Sequence, residues 1–339
     1  MKQAILLILA GSIVAAFTIR ETEIISAQNP QHPLPGNGLS QHPFLYAGEW
    51  DIRENHLQTI HVVRGGKVVW SYGIPIKDAV KDEIQELGDA FMLANGNILF
   101  SRKVGASEIT PDKKIVWNYE APPKGEIHTT QPIGKDRVMI MQNGDPAKLM
   151  IINKVTGKIE KELIIPTERP GQPHGQFRHV RMTNAGTFLV PHMAGRVIEY
   201  DPEGKEIWSY TTPSPWAAIR LKNGNTLISG DGSGYVREVN PKGEPVWEFT
   251  QQDSPDIKIF NVQEVTRLAN GNTVICNWCP GRLKDPKDWP GSVQILEVTP
   301  DKKIVWALSS WETPNDLGPA SSIQLLDEQG VVENGDLQR

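Results

Sequence analysis

Residues 265–275 read VTRLANGNTVI, and this stretch decides the fold. Two runs rich in aliphatic and β-branched residues flank Asn270-Gly271. Asn-Gly between such runs is the strongest short-range hairpin signal, because a type I′ turn needs positive φ at both central residues. The phrase recurs as FMLANGNILF at 91–100, AIRLKNGNTLI at 218–228 and, more loosely, RMTNAGTFLV at 181–190. A second phrase alternates with it: a polar turn containing Gly or Lys, then an apolar residue before Trp. It stands as HVVRGGKVVW ending at Trp70, EITPDKKIVW at Trp117, VIEYDPEGKEIW at Trp208, REVNPKGEPVW at Trp247 and LEVTPDKKIVW at Trp306. A sixth copy, IINKVTGKIE at 151–160, carries Glu160 where the others carry Trp.

Copies recur roughly every 40 to 60 residues, the period of four-stranded propeller blades. Each blade then reads as an inner strand, an Asn-Gly turn, a second strand, a longer loop, a third strand, a Gly/Asp-Lys turn and an outer Trp-bearing strand. The predicted fold is all-β: a six-bladed β-propeller with four-stranded blades. The first copy lacks an inner strand, and the orphan segment ASSIQLLDE at 320–328 supplies one. Pairing the two closes the ring and removes its exposed edges. Blades are expected over 43–74 plus 319–328, 86–121, 127–166, 176–212, 216–250 and 260–310, with loose arms at 28–42 and 330–339 and no linker. The recurrent Trp is expected to fill the wedge between neighbouring blades.

Bulk properties agree. The 339 residues carry 30 Gly, 26 Pro and ten Trp, which suits short strands and tight turns rather than long helices. A net charge of −5 offers no basic footprint, so nucleic acid is not an expected partner. Lys2 followed by the apolar run Ala4 to Phe17 reads as a signal peptide over 1–27, cleaved before Gln28; an uncleaved N-terminal anchor is the alternative. No later segment is apolar enough to span a bilayer. The expected organisation is therefore signal peptide 1–27, N-terminal arm 28–42, propeller 43–329 and tail 330–339, in a monomer that is periplasmic or secreted.

The two phrases resemble the repeats of the PQQ-like and arylsulfotransferase-like propeller families over nearly the whole chain after the leader. The resemblance implies an exported bacterial propeller and, on the arylsulfotransferase-like side, sulfuryl transfer by funnel His and Arg. PQQ dehydrogenases have eight blades and a vicinal Cys pair; this chain has neither. No motif transfers a catalytic role to any one position.

The unusual chemistry gathers where binding sites on a rigid scaffold belong, on loops over one face. His128 and His174 map to connections between blades, His179 to the start of an inner strand, and His56 and His192 to loops between the second and third strands. Four Trp outside the repeat, Trp216, Trp278, Trp289 and Trp311, map to the same region. The run Gln172 to Arg181 (QPHGQFRHVR) is too polar for a strand entering a core, so its groups need each other, water or a ligand. The candidate ligand-binding set is His128, His174, Gln176, Arg178, His179, His192, Trp216, Glu264 and Trp278. Arg178 suits a carboxylate or sulfate, and Trp216 or Trp278 a sugar face or aryl ring. The sequence names no cofactor, although His174, Gln176 and His179 offer donors for a divalent transition metal. Asp89 and Glu264 occupy equivalent inner-strand positions and supply carboxylates, to a ligand or to a rim Arg. Cys276 and Cys279 form one CxxC, open to a local disulfide or to two free thiols. Gly230 to Gly234 (GDGSG) reads as a turn.

Three functions remain open on these grounds. The first is a funnel that binds a saccharide-like or anionic small molecule. The second is an enzyme on that face, a sulfuryl transferase or a polysaccharide lyase or hydrolase with His as acid/base. The third is a scaffold for other envelope proteins.

Overall fold

A computed structural model describes residues 33–53, 56–230 and 234–336. The expected leader lies outside the described residues, as do residues 28–32 of the expected arm and the middle of the 230–234 turn. Six four-stranded antiparallel sheets form the ring. The inner strands are Ala320–Leu325 in blade 1, Leu87–Met92 in blade 2, Glu126–Ile133 in blade 3, Arg181–Met182 in blade 4, Pro215–Arg220 in blade 5 and Asn261–Arg267 in blade 6. Ala320–Leu325 pairs antiparallel with Phe44–Asp51, so the C-terminal strand completes the N-terminal blade. Among the described residues no helix is long and apolar enough to cross a membrane.

The hairpins form where expected, with a different turn. Only the Gly takes positive φ, at +83° (Gly96), +87° (Gly224) and +88° (Gly271), and the Asn before it does not. Backbone bonds run from Gly271 N to Leu268 O and from Leu268 N to Asn272 O. This is the three-residue loop in which a type I turn is followed by one left-handed residue, rather than type I′. The side chains explain the choice. Asn270 Oδ1 accepts from Asn272 N at 2.8 Å, and Asn272 Nδ2 donates to Glu297 of the third strand at 2.6 Å. Blades 2 and 5 repeat the last bond with Asn97–Glu108 and Asn225–Glu238.

The outer Trp residues do more than fill a wedge. Trp70, Trp208 and Trp247 donate their indole N–H to the carbonyls of Pro111, Pro241 and Pro300, each in the outer turn of the next blade. Blade 3 lacks the Trp, and Lys161 Nζ reaches Pro202 O of blade 4 at 2.5 Å instead. Trp306 in blade 6 finds Gly38 O of the N-terminal segment, 2.9 Å away.

Neither described arm segment, 33–42 or 330–336, is loose. Ala307 N donates to Pro35 O, and Leu34 and Leu39 pack on blade cores. His42 lies 3.0 Å from Glu297 and 2.9 Å from Asp327. At the other end Val332 is buried among Phe91, Leu93 and Ile127, and Gly134 N donates to Glu333 O. Both arms gain partners that a short polar segment in water would lack, so the expectation of free arms is corrected for residues 33–42 and 330–336.

Candidate functional site

In all six blades the inner strand holds one more residue than its partner at the same level. Between Leu87 and Ala90, two residues face the single Ser101. Equivalent irregularities fall at His128, at Trp216, at Gln263-Glu264 and at Ser321. In blade 4 three residues, 178–180, lie between pairings whose partners have two residues between them, and His179 takes φ +37° there. A bulge re-aims side chains and often sits beside a functional site. The repeated geometry thus sets six residue pairs around the axis: Gly88-Asp89, His128-Thr129, Arg178-His179, Trp216-Ala217, Gln263-Glu264 and Ala320-Ser321. Gly88 has no alternative, since a Cβ would meet His128 O at 2.0 Å.

The upper level is a polar cluster centred on Glu126. Its Oε2 accepts from His128 Nε2 at 2.8 Å and from His174 Nδ1 at 3.1 Å, while Lys103 Nζ lies 3.3 Å from Oε1. Burial alone would raise the Glu126 carboxyl, but the bonds from His128 and His174 outweigh it and hold it well below the usual carboxylate range. Burial, aided by the nearby Arg178 charge, pushes His128 down to about 3, so it is neutral at pH 7. Arg178 is 6% exposed. Its Nη2 lies 3.3 Å from His174 Nε2 and 3.8 Å from Glu86, and Nη1 donates to Phe177 O. Glu49 accepts from Gln263 at 3.0 Å; burial, reinforced by Glu86 and opposed by Arg178, pushes its carboxyl well up. His174, with a side chain 56% exposed, is the member that meets solvent.

One level down, the polar groups are already committed. Arg181 donates to both oxygens of Asp89, at 2.9 and 2.6 Å, and to Glu264 at 2.8 Å. His179 Nδ1 donates to Asp89 Oδ1 at 2.6 Å, and Thr130 N to Oδ2 at 3.0 Å. Burial would raise Asp89, yet Arg181 and His179 outweigh it and hold it at about 2. Of the two partners left open for Asp89 and Glu264, the structure has Arg181. Below this layer the channel is lined by Phe91, Gln131, Ile219, Thr266 and Ile323 and ends on Val332 and Gly335 of the tail.

The candidate residues therefore separate. His128, His174 and Arg178 converge on the upper level, while His179 and Glu264 belong to the ionic layer. His128 sits inside the inner strand Glu126–Ile133 rather than in a connection. Gln176 is remote from them: it clamps Gly144 through both amide atoms and reaches Arg169 O. The metal set His174, Gln176 and His179 does not converge, because residues 173–175 form a 3-10 turn that sends the three side chains to different partners. His192 ends a second strand, bonded to Glu168 and Tyr200 away from the axis. Trp216 and Trp278 face each other at 5.9 Å and 48°, and among the described residues neither indole nitrogen has a hydrogen-bond partner. Cys276 and Cys279 are free and buried; no disulfide joins them, because Cys276 packs with Phe44 and Trp306 whereas Cys279 packs with Phe260 and Trp289. Sequence reasoning passed over Glu49, Glu86, Lys103, Glu126 and Gln263. Counting back from each hairpin to the bulge would have found Gln263, and with it Glu86 and Glu126 just before the equivalent positions.

Residues 166–283, about a third of the chain, match the family described as outer membrane protein assembly factor BamB. A Bacteroides caccae protein of unknown function is similar in structure, with a TM-score of 0.70 and 25% identity over 83% of this chain and 97% of its own. Catalytically inactive virginiamycin B lyase from Staphylococcus aureus with quinupristin gives a TM-score of 0.52 at 11% identity, over 80% of this chain and 88% of that one. At that identity the likeness shows the fold alone. No curated protein matches the sequence. The family match and the propeller neighbours support a PQQ-like β-propeller repeat.

Proposed function

We propose that this chain is an exported propeller that binds an anionic, saccharide-like small molecule, of the uronate kind, at the upper mouth of its channel. The observation that carries this reading is Arg178. A guanidinium only 6% exposed normally sits in a bidentate carboxylate pair, yet among the described residues its nearest carboxylate is Glu86 at 3.8 Å. The opposed Trp216 and Trp278 rings supply a face for a sugar. Export is supported by the apolar run after Lys2 and by the description of the matched family.

The test is Arg178→Ala, with calorimetry against uronates, neutral sugars and aryl sulfates beside a thermal melt. The expected result is loss of uronate binding with a melting temperature within a few degrees of wild type. Binding that survives in Arg178→Ala, or no binding by wild type to any of these, overturns the proposal; the second outcome moves the protein-scaffold reading ahead. One observation favours chemistry as well as binding. His174 is exposed, oriented by the buried Glu126 and beside Arg178, the arrangement of an acid/base with its orienting carboxylate. Turnover of a uronate polymer, lost in His174→Ala, would establish the lyase or hydrolase reading; turnover of aryl sulfates would establish sulfuryl transfer.

A further inference from the structure

We propose that Glu86, Glu126, His128 and His174 form a binding site for one divalent transition-metal ion of the Zn²⁺ type. Three of the donor separations already stand close to those such an ion imposes. Four ligands at Zn–N and Zn–O distances of about 2.0–2.2 Å in a tetrahedron lie about 3.3–3.6 Å apart. Here the separations are 2.8 Å (His128 Nε2 to Glu126 Oε2), 3.1 Å (His174 Nδ1 to Glu126 Oε2) and 3.6 Å (His174 Nδ1 to Glu86 Oε2). The donor atoms of Glu86, His128 and His174 all lie within 4.8 Å of one another. Two imidazoles and two carboxylates are a donor set for Zn²⁺ rather than for Mg²⁺ or Ca²⁺. The surroundings fit. Lys103 holds Glu126 by Oε1 and leaves Oε2 for the ion, and exposed His174 gives the ion a way in from solvent.

Proton positions follow. Each ring now presents an N–H to Glu126, at His128 Nε2 and His174 Nδ1. To ligate through those atoms, each ring carries its proton on the other nitrogen. At His174 that puts an N–H against Arg178 Nη2, 3.3 Å away, where two donors repel. Arg178 then turns from His174 toward an anion at the ion's remaining position. This last step rests on the anion-binding function proposed above; the ion site itself does not.

The protein is stripped with EDTA and titrated with Zn²⁺ by calorimetry, and Co²⁺ is added as a spectroscopic probe. One ion per chain is expected, with visible Co²⁺ bands of a four- or five-coordinate site. Affinity should fall about tenfold or more in His174→Ala and in Glu86→Gln. Both variants are checked by melting, and His56→Ala, an exposed His outside the cluster, serves as the control. The proposal is overturned if wild type takes up no Zn²⁺, if His174→Ala binds as wild type does, or if His56→Ala loses as much. Uronate binding by the stripped protein that still depends on Arg178 would leave the binding function standing while the ion site fails.

Discussion

The outer and inner walls of the ring repeat the same geometry with opposite chemistry. On the outside, three blades use one device, an indole N–H on the next blade's Pro carbonyl, and in blade 3 a Lys ammonium takes its place. On the inside, the bulge recurs in every blade, but its first position is Gly88, His128, Arg178, Trp216, Gln263 or Ala320. A position whose task is to hold neighbours together can be filled by the same answer repeatedly. Positions that surround one asymmetric object cannot. The difference separates scaffold from site without reference to any relative.

Four experiments can break or sharpen that contrast. The largest effect belongs to closure. Deleting residues 319–339 removes the inner strand of blade 1 and the tail under the channel, and should abolish the cooperative melt. A cooperative melt at the wild-type temperature would break the account of closure.

Asp89→Ala tests the ionic layer. It leaves buried His179 without a carboxylate and Arg181 with Glu264 alone, and a broken buried pair costs about 3–5 kcal/mol. Urea denaturation should show that loss; a change under about 1 kcal/mol would mean the layer is not structural.

On the outer wall, Trp247→Ala should cost about 2 kcal/mol, less than the 3–5 of a fully buried ring, because this Trp is partly exposed. Trp247→Phe keeps most of the packing and loses the bond to Pro300, about 1 kcal/mol. Neither should alter uronate affinity, in contrast to Arg178→Ala. An outer-wall variant that changed affinity as much as Arg178→Ala would erase the distinction between the walls.

The smallest effect is pH dependence at the seam. His42 sets one ring nitrogen on Glu297 and the other on Asp327, which only the doubly protonated imidazolium can satisfy. Partial burial lowers its pKa, but the two carboxylates outweigh that and raise it above 6.5. The clasp therefore contributes fully below about pH 6.5 and is lost as pH rises through the raised value. Melts from pH 5 to 9 should show this loss, about 1 kcal/mol for a partly buried clasp, and His42→Gln should remove it. An unchanged pH profile in His42→Gln would place the dependence elsewhere.

Much of the fold was legible in the chain because its signals are local. Asn-Gly punctuation, the alternation around it and the Trp phrase act within a dozen residues, so blade count and strand order follow from spacing. Even the type I′ expectation failed only in detail, where Asn95, Asn223 and Asn270 cap the turn with their side chains and leave positive φ to Gly alone. The polar run before blade 4 marked the right neighbourhood of the site. It did not separate Arg178 from His179, which are adjacent in sequence and end in different networks. Nor did it join Glu86 to His174.

By itself the sequence determined that this protein is a closed ring of six four-stranded blades, and that its unusual polar residues lie near the inner strands. Tertiary structure decided their partners. Asp89, Arg181 and Glu264 come from blades 2, 4 and 6 and meet only when the ring closes, and Glu126 faces His174 only because a 3-10 turn of blade 4 folds over blade 3. The reason is range. Strand periodicity and turn geometry are set by a residue's chain neighbours, whereas an ion pair across the axis depends on the angle through which every intervening blade turns.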